Sequence, residues 1–219
     1  MFSNDPFIDI HTHRPALSPE TFALISSDYH ATPEPEKFYS FGIHPWHIEQ
    51  NPLNESLPVL MQAVSQSQAL AVGEAGLDRF IGLSFELQEK YFKAQITVSE
   101  YYKKPMIIHC VKAHSDIQEI RKAGNFKMPW AIHGFNANKQ TADQMIKMGF
   151  YLSFGKALLD PESKAAQIFP LIPIKNIFLE TDDADIDIKD VYAVAAGLRK
   201  LSVDQLKQKI AENARVFFK

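Results

Sequence analysis

The chain has 219 residues, 46% hydrophobic and 22% charged, with 16 Phe, which is material for one sizeable core and excludes a disordered or fibrous chain. A single Cys excludes an internal disulfide framework, and a net charge of -3 excludes the broad basic surface of a non-specific duplex binder. Met1 to Asp5 holds no basic region followed by an apolar stretch, and no apolar run approaches the roughly 18 residues of a membrane span. A soluble, cytoplasmic protein with no membrane partner, one domain over residues 1–219, is the expectation.

Short apolar or alternating runs recur at Phe7 to His11, Phe38 to His44, Leu70 to Glu74, Met106 to Cys110, Trp130 to His133, Phe150 to Phe154 and Asn176 to Glu180. Each has strand length and is rich in Ile, Val, Phe or Tyr. Helical patterns lie between most of them, as in Phe85 to Tyr102, where Phe92, Ile96 and Ser99 share a face, and Thr141 to Met148. Ser18-Pro19 and Asp160-Pro161 read as helix starts, and Ser202 with Gln205 as a capping box. Thr21 to Ser27 is either a helix after the Ser18 cap or a short buried strand, and the strand is the preferred reading. It completes eight strands alternating with helices, a compact TIM-type (β/α)8 barrel; the helix alternative leaves seven and a barrel distorted in its N-terminal third.

In a parallel barrel the functional groups gather at the C-terminal strand ends. The apolar runs end in or just before His11-Thr12-His13, His44, Glu74, His109, His133 and Asp182. His11 and His13, two apart on a strand, point to one face and can bind one cation; taken alone they read equally as hydrogen-bonded histidines. Asp9 is either a carboxylate that orients a ligand or a paired buried acid. Glu74, flanked by Gly73 and Gly76, can bridge two cations or pair with Arg79. Taken together, four His, one Glu and one Asp at one barrel mouth offer nitrogen and oxygen ligands for two divalent ions, with Zn, Mn, Mg, Fe or Co all compatible. Cys110 follows His109, so it faces the opposite side of its strand and reads as a packing residue. No nucleophile elbow, Walker loop or dinucleotide fingerprint competes with this set.

The ordered motifs FIDIHTH, FGIHPW, AVGEAGLD, QEKYFKAQ, KPMIIHC, AIHGF, GFYLSFG and FLETD, across residues 7–183, resemble those of the TatD family of metal-dependent hydrolases and deoxyribonucleases. The resemblance implies a TIM-type barrel and phosphodiester hydrolysis at nucleic-acid ends or on small phosphodiesters by a metal-activated water. It also implies one ion on His11, His13 and Asp182, Glu74 as the bridge, and a second ion on His109 and His133. Asp182 and Glu74 are then the catalytic carboxylates. His44, Lys112, Arg79 and His47 read either as phosphate contacts or as solvated surface residues, and Trp46 either as a stacking face for a terminal base or as a barrel-edge packing residue. The sequence departs from the family pattern in a compressed Ser18 to Lys37 segment, in Asp183-Ala184-Asp185-Ile186 after FLETD, in Val111 where a basic residue is usual, and in Trp46 where a second His is usual. These departures alter the mouth of the site and leave the metal ligands intact.

Three other readings accommodate the same residues. An amide, ester or lactone hydrolase keeps the metals and changes the bond. A PHP-type phosphoesterase also opens with H-x-H but needs more His and Asp ligands than the chain supplies. A non-enzymatic metal-binding scaffold is disfavoured because no ligand has been lost.

Overall fold

Thr21 to Asp28 is a strand in the computed structural model, which describes residues 5–219; the reading of residues 1–4 as free of a leader lies outside the described residues. The full set is β1 Phe7–Thr12, β2 Thr21–Asp28, β3 Phe38–Gly42, β4 Ala69–Asp78, β5 Met106–Val111, β6 Trp130–Ile132, β7 Tyr151–Phe154 and β8 Ile177–Leu179. The helices are α1 Leu53–Ser65, α2 Phe85–Tyr102, α3 His114–Ala123, α4 Lys139–Lys147, α5 Lys164–Ile168, α6 Ile188–Arg199 and α7 Val203–Phe217. The strands form one sheet in chain order, and a parallel bridge from Thr12 to Asp182, just beyond β8, brings its two ends together. Eight parallel strands in this order, with helices following β3 to β8, make a (β/α)8 barrel of the TIM type.

The N-terminal third is where the barrel is trimmed. β1 pairs in parallel with β2 across a connection of only residues 13–20, shorter than the dozen or so residues that parallel neighbours ordinarily need. Ser18-Pro19 therefore opens a turn, not a helix: the Ser18 carbonyl accepts from Thr21 N at 3.0 Å. Asp160-Pro161 likewise starts a turn, and the helix begins later, with Ser163 capping α5. The Ser202–Gln205 capping box on α7 is present.

Two compact units make up the chain, a terminal unit of residues 1–25 and 132–219 and a central unit of residues 26–131. The terminal unit buries Ile8, Ile10, Phe154, Phe169, Phe178 and Phe217, with Tyr151, Phe178 and Phe217 in mutual ring contact. The central unit buries Phe41, Leu60, Phe92, Ile96 and Trp130, each fully buried large side chain stabilising the fold by about 1.5–3 kcal/mol.

Helix side chains complete the strand backbones where sheet pairing stops. Gln88 and Gln95, two turns apart on the buried face of α2, act as paired clamps: Gln95 Oε1 accepts from Ile43 N at 2.7 Å while its Nε2 donates to Ile43 O at 3.0 Å. Gln88 does the same for Asp78, at 2.8 and 3.0 Å. In the terminal unit Tyr192 Oη accepts from Ile8 N at 2.9 Å and donates to Ile8 O at 3.2 Å. A buried peptide group without a partner costs about 1–3 kcal/mol. Gln95→Leu strands both polar groups of Ile43, so we expect a loss of about 2–5 kcal/mol in denaturant unfolding, against a small effect for exposed substitutions elsewhere on α2.

Candidate metal centre

In the terminal unit the pattern H-x-H places His11 at the end of β1, fully buried, and His13 just past it at the surface. Asp182 completes the group. Its amide donates to His11 O at 2.9 Å and its carbonyl accepts from His13 N at 3.1 Å, so the residue is stitched onto β1. Its φ of 54° is the left-handed conformation that a short polar side chain tolerates. Oδ1 of Asp182 lies 3.3 Å from His11 Nε2 and 3.4 Å from His13 Nε2, and these three side chains offer donor atoms within 4.8 Å of one another. Burial alone raises the Asp182 carboxyl, but hydrogen bonds from His11 and His13 and the nearby imidazoles outweigh it and hold the group far below the usual carboxylate range. It is ionised throughout the neutral range.

Asp9 acts on this group through Thr181. Its carboxylate accepts from Thr181 N at 3.0 Å and from Thr181 Oγ1 at 2.7 Å, fixing the residue before Asp182. Thr12 Oγ1 reaches the same hydroxyl at 3.0 Å, across a register shift in β1 between Asp9 and Thr12, so simple alternation does not describe this strand. Burial pushes Asp9 up to about 7, against the hydrogen bonds from Thr181 that lower it. His133 follows β6, its ring 4.3 Å from that of His11. Glu180, the last residue of the apolar run Asn176 to Glu180, is buried to 1% exposure. Its Oε1 accepts from Gly134 N at 2.6 Å and lies 3.8 Å from His133 Nδ1.

The central unit holds a second cluster. Glu74 and His109 were expected to end their strands, but β4 continues to Asp78 and β5 to Val111. Glu74 falls instead in a register shift of β4 between Val72 and Ala75, an irregularity that re-aims a side chain from within a strand. The flanking glycines are required by close approach: a Cβ on Gly76 would sit 1.9 Å from the His109 carbonyl oxygen, and one on Gly73 would sit 2.4 Å from that of Ile107. Glu74 Oε1 lies 2.7 Å from His109 Nδ1 and 3.1 Å from His44 Nε2, and the three residues offer a second set of donors within 4.8 Å. Trp46 N donates to His44 Nδ1 at 3.1 Å, which puts the ring proton of a neutral His44 on Nε2, facing Glu74. Burial keeps His44 below its usual value, with Glu74 opposing.

The remaining nitrogen of His109 identifies what the sequence reading missed. Nε2 faces Asp78 Oδ2 at 3.2 Å while Nδ1 faces Glu74, and a neutral imidazole has only one N–H. One nitrogen would therefore turn a lone pair toward a carboxylate. A cation at Nδ1, with Nε2–H on Asp78, resolves the conflict and reproduces the carboxylate–histidine–metal arrangement, so the central set fits a divalent ion; the terminal set, two imidazoles and an ionised carboxylate with donor atoms within 4.8 Å of one another, fits one by its ligand chemistry. Asp78, in the AVGEAGLD run, is held below the usual range: burial opposes this, and hydrogen bonds from Trp46, Phe80 and His109 outweigh it.

The expected substrate contacts are in the central unit. Trp46 donates through Nε1 to Asp78 Oδ2 at 2.8 Å, the His47 ring lies 5.8 Å from that of His44, and Lys112 is exposed just past β5 in the left-handed region, φ 53°. Arg79 is committed elsewhere. Its guanidinium forks onto Asp116 and lies 4.1 Å over the Phe85 ring, so the weighed ion pair with Glu74 is replaced by one with Asp116. In the terminal unit Arg14 Nη1 donates to Asp185 at 2.7 Å and Nη2 to Asp183 O at 3.1 Å, beside a cavity of about 310 Å³.

A parallel barrel carrying two His–carboxylate donor sets is the build of a metal-dependent hydrolase, and comparison with known proteins gives the family. Residues 15–219 match the family described as TatD related DNase, and the chain belongs to it. It is 26% identical over 224 residues to the uncharacterized metal-dependent hydrolase YjjV of Escherichia coli, covering 93% of this chain and 84% of that one. It is 25% identical over 198 residues to the 3'-5' ssDNA/RNA exonuclease TatD of Pantoea ananatis, covering 81% and 76%. The crystal structure of the YjjV TatD homolog superimposes with a TM-score of 0.83 at 23% identity, covering 97% of both chains. A TatD family hydrolase of Entamoeba histolytica gives 0.79 at 16%, covering 98% of both. The protein is a TatD family metal-dependent hydrolase.

Neighbours on β5 separate ligand from packing roles. Burial pushes the Cys110 thiol up to about 12, so it stays protonated and offers no thiolate. Cys110→Ala is expected to lower stability by about 1 kcal/mol or less and leave metal content unchanged, whereas His109→Ala should lose metal; thermal melts with elemental analysis of both variants check this.

Proposed function

We propose that the chain, as one hydrolase domain acting in the cytoplasm, is a divalent-metal-dependent phosphodiesterase that trims single-stranded nucleic-acid ends. The observation that carries the reading is the pair of His–carboxylate sets. His11, His13 and Asp182 would hold one ion in the terminal unit, where His133, read from the sequence as a partner of His109 on the second ion, lies against His11; Glu74 and His109, with His44 donating to Glu74, would hold a second ion in the central unit. Zn, Mn or Mg, when bound, supplies charge neutralisation at phosphoryl oxygens and a water that ionises near neutral pH.

The protein's own residues do the rest. Asp182, ionised at neutral pH, orients a water by accepting its hydrogen bond. Glu74 and Asp78 keep the His109 ring in one tautomer and one orientation. His44, His47 and Lys112 are the polar groups for the substrate's phosphates, and Trp46 offers a face for a base; Arg79 joins them only by sharing its guanidinium with Asp116. The relatives named as ssDNA/RNA exonucleases support the nucleic-acid substrate, and the absence of a membrane-length apolar helix among the described residues accords with the proposed compartment.

Two measurements test this reading. Glu74→Gln keeps size and removes charge, so metal content should fall at least tenfold and turnover about 100-fold with the circular dichroism unchanged; wild-type metal content in that variant would sink the assignment of Glu74. The second concerns substrate form. With net charge -3 and few cations near either donor set, binding should displace about one or two counterions. The pairing of Asp185 with Arg14 leaves less repulsion there than two free acids would give, but adds no phosphate-binding charge. A 5-mer, a long single strand and a closed circular duplex are compared at equal metal and salt, and the short single strand should be cut best. Efficient nicking of the circle, or a slope reporting about six or more counterions, would overturn end-directed action.

A further inference from the structure

We infer that Trp46 and Phe80 form a stacking platform for an unpaired nucleobase beside the His44–Glu74–His109 cluster, so that the enzyme reads a base next to the phosphodiester it cuts. The inference rests on the nuclease reading and adds a recognition element to it. Among the described residues Trp46 and Phe80 are two of the few large apolar side chains left in solvent, at 59% and 75% exposure. Scattered exposed rings are ordinary, but these two are tied to one carboxylate. Asp78 Oδ2 accepts from Trp46 Nε1 at 2.8 Å and faces His109 Nε2 at 3.2 Å, and Oδ1 accepts from the Phe80 amide at 2.8 Å. The group that orients a candidate metal ligand thus also holds the Trp46 indole and the backbone of Phe80.

Trp46 is held like a preformed surface. Its indole N–H is already used on Asp78, and the ring stands edge-on to His44 at 5.0 Å and to His109 at 6.1 Å. What remains outward is its apolar π-system, with little ordering left to lose on binding. Stacking on such a face accepts any base but requires one that is free of its duplex neighbours. A core role leaves this exposure unexplained, and continuity with the donor cluster favours a nucleotide over an unrelated protein surface.

The test uses the metal-loaded wild type on two single-stranded oligonucleotides of equal length, one natural and one with abasic residues at its terminal positions. We expect kcat/KM to drop about tenfold on the abasic strand, and the ratio to collapse toward about one in Trp46→Ala and Phe80→Ala. Because each protein is its own reference, damage to the metal cluster cancels from the ratio. A second readout needs no turnover. The other tryptophan, Trp130, is 1% exposed, so the natural strand should quench exposed-indole fluorescence in protein without added metal, and neither the abasic strand nor Trp46→Phe should give that quenching. Equal rates on both strands, or no base-dependent quenching, overturns the platform while leaving the nuclease reading standing. Base-dependent quenching with no hydrolysis under any metal leaves the platform and removes the nuclease reading. Dimerisation abolished by Phe80→Ala at the concentrations used would assign the rings to a second copy of the chain and overturn the inference.

Discussion

A carboxylate facing two imidazoles, buried at Glu74 and half-buried at Asp182, is stable only if protons or cations settle who donates to whom, and this constraint organises both units. Asp182 Oδ1 is approached by His11 and His13 at 3.3 and 3.4 Å; Glu74 Oε1 is approached by His109 and His44 at 2.7 and 3.1 Å. Removing such charges from water is expensive without compensation, so each group draws a supporting layer around it. Asp9 holds Thr181 behind Asp182, and Asp78 holds the far nitrogen of His109.

That supporting layer reaches into the scaffold. The donor groups sit where strand pairing ends or slips, and there the backbone would be left with unpaired polar groups. Gln95 and Gln88 meet this need at Ile43 and Asp78, each next to or within the central cluster. In the terminal unit Tyr192 does so at Ile8, one residue before Asp9. Stability and positioning therefore share residues: the hydrogen bond that closes a strand backbone also fixes the root of a functional side chain. The same sharing applies to Asp78, whose Oδ2 faces a candidate ligand and accepts from the Trp46 indole while Oδ1 accepts from the Phe80 backbone amide.

The shortened N-terminal third and the loop beyond β8 shape the terminal cluster's surroundings. Residues 13–20 cross from β1 to β2 without a helix, and Arg14 in that crossover pairs with Asp185. An exposed pair of this kind contributes little to stability, yet it balances one of the acids that follow FLETD. The departures from the family pattern at residues 183–186 thus fall on the approach to the terminal cluster, where Arg14 meets Asp185.

The sequence by itself determined the strand–helix alternation and favoured a strand over Thr21 to Ser27, which the structure forms as Thr21–Asp28, because hydrophobic periodicity is a local signal; ligand chemistry singled out His11, His13, Glu74, His109, His133 and Asp182 as candidates. Tertiary structure decided the rest. Glu74 and His109 lie inside longer strands, since pairing of β4 with β5 extends past the apolar run; Arg79 is drawn to Asp116, 37 positions away; and Asp78, Glu180, Gln88 and Gln95 acquire roles only once distant backbone and imidazole groups face them. A polar residue shows its type in the sequence, but its partner is set by packing, and in a buried site the partner determines what the residue can do.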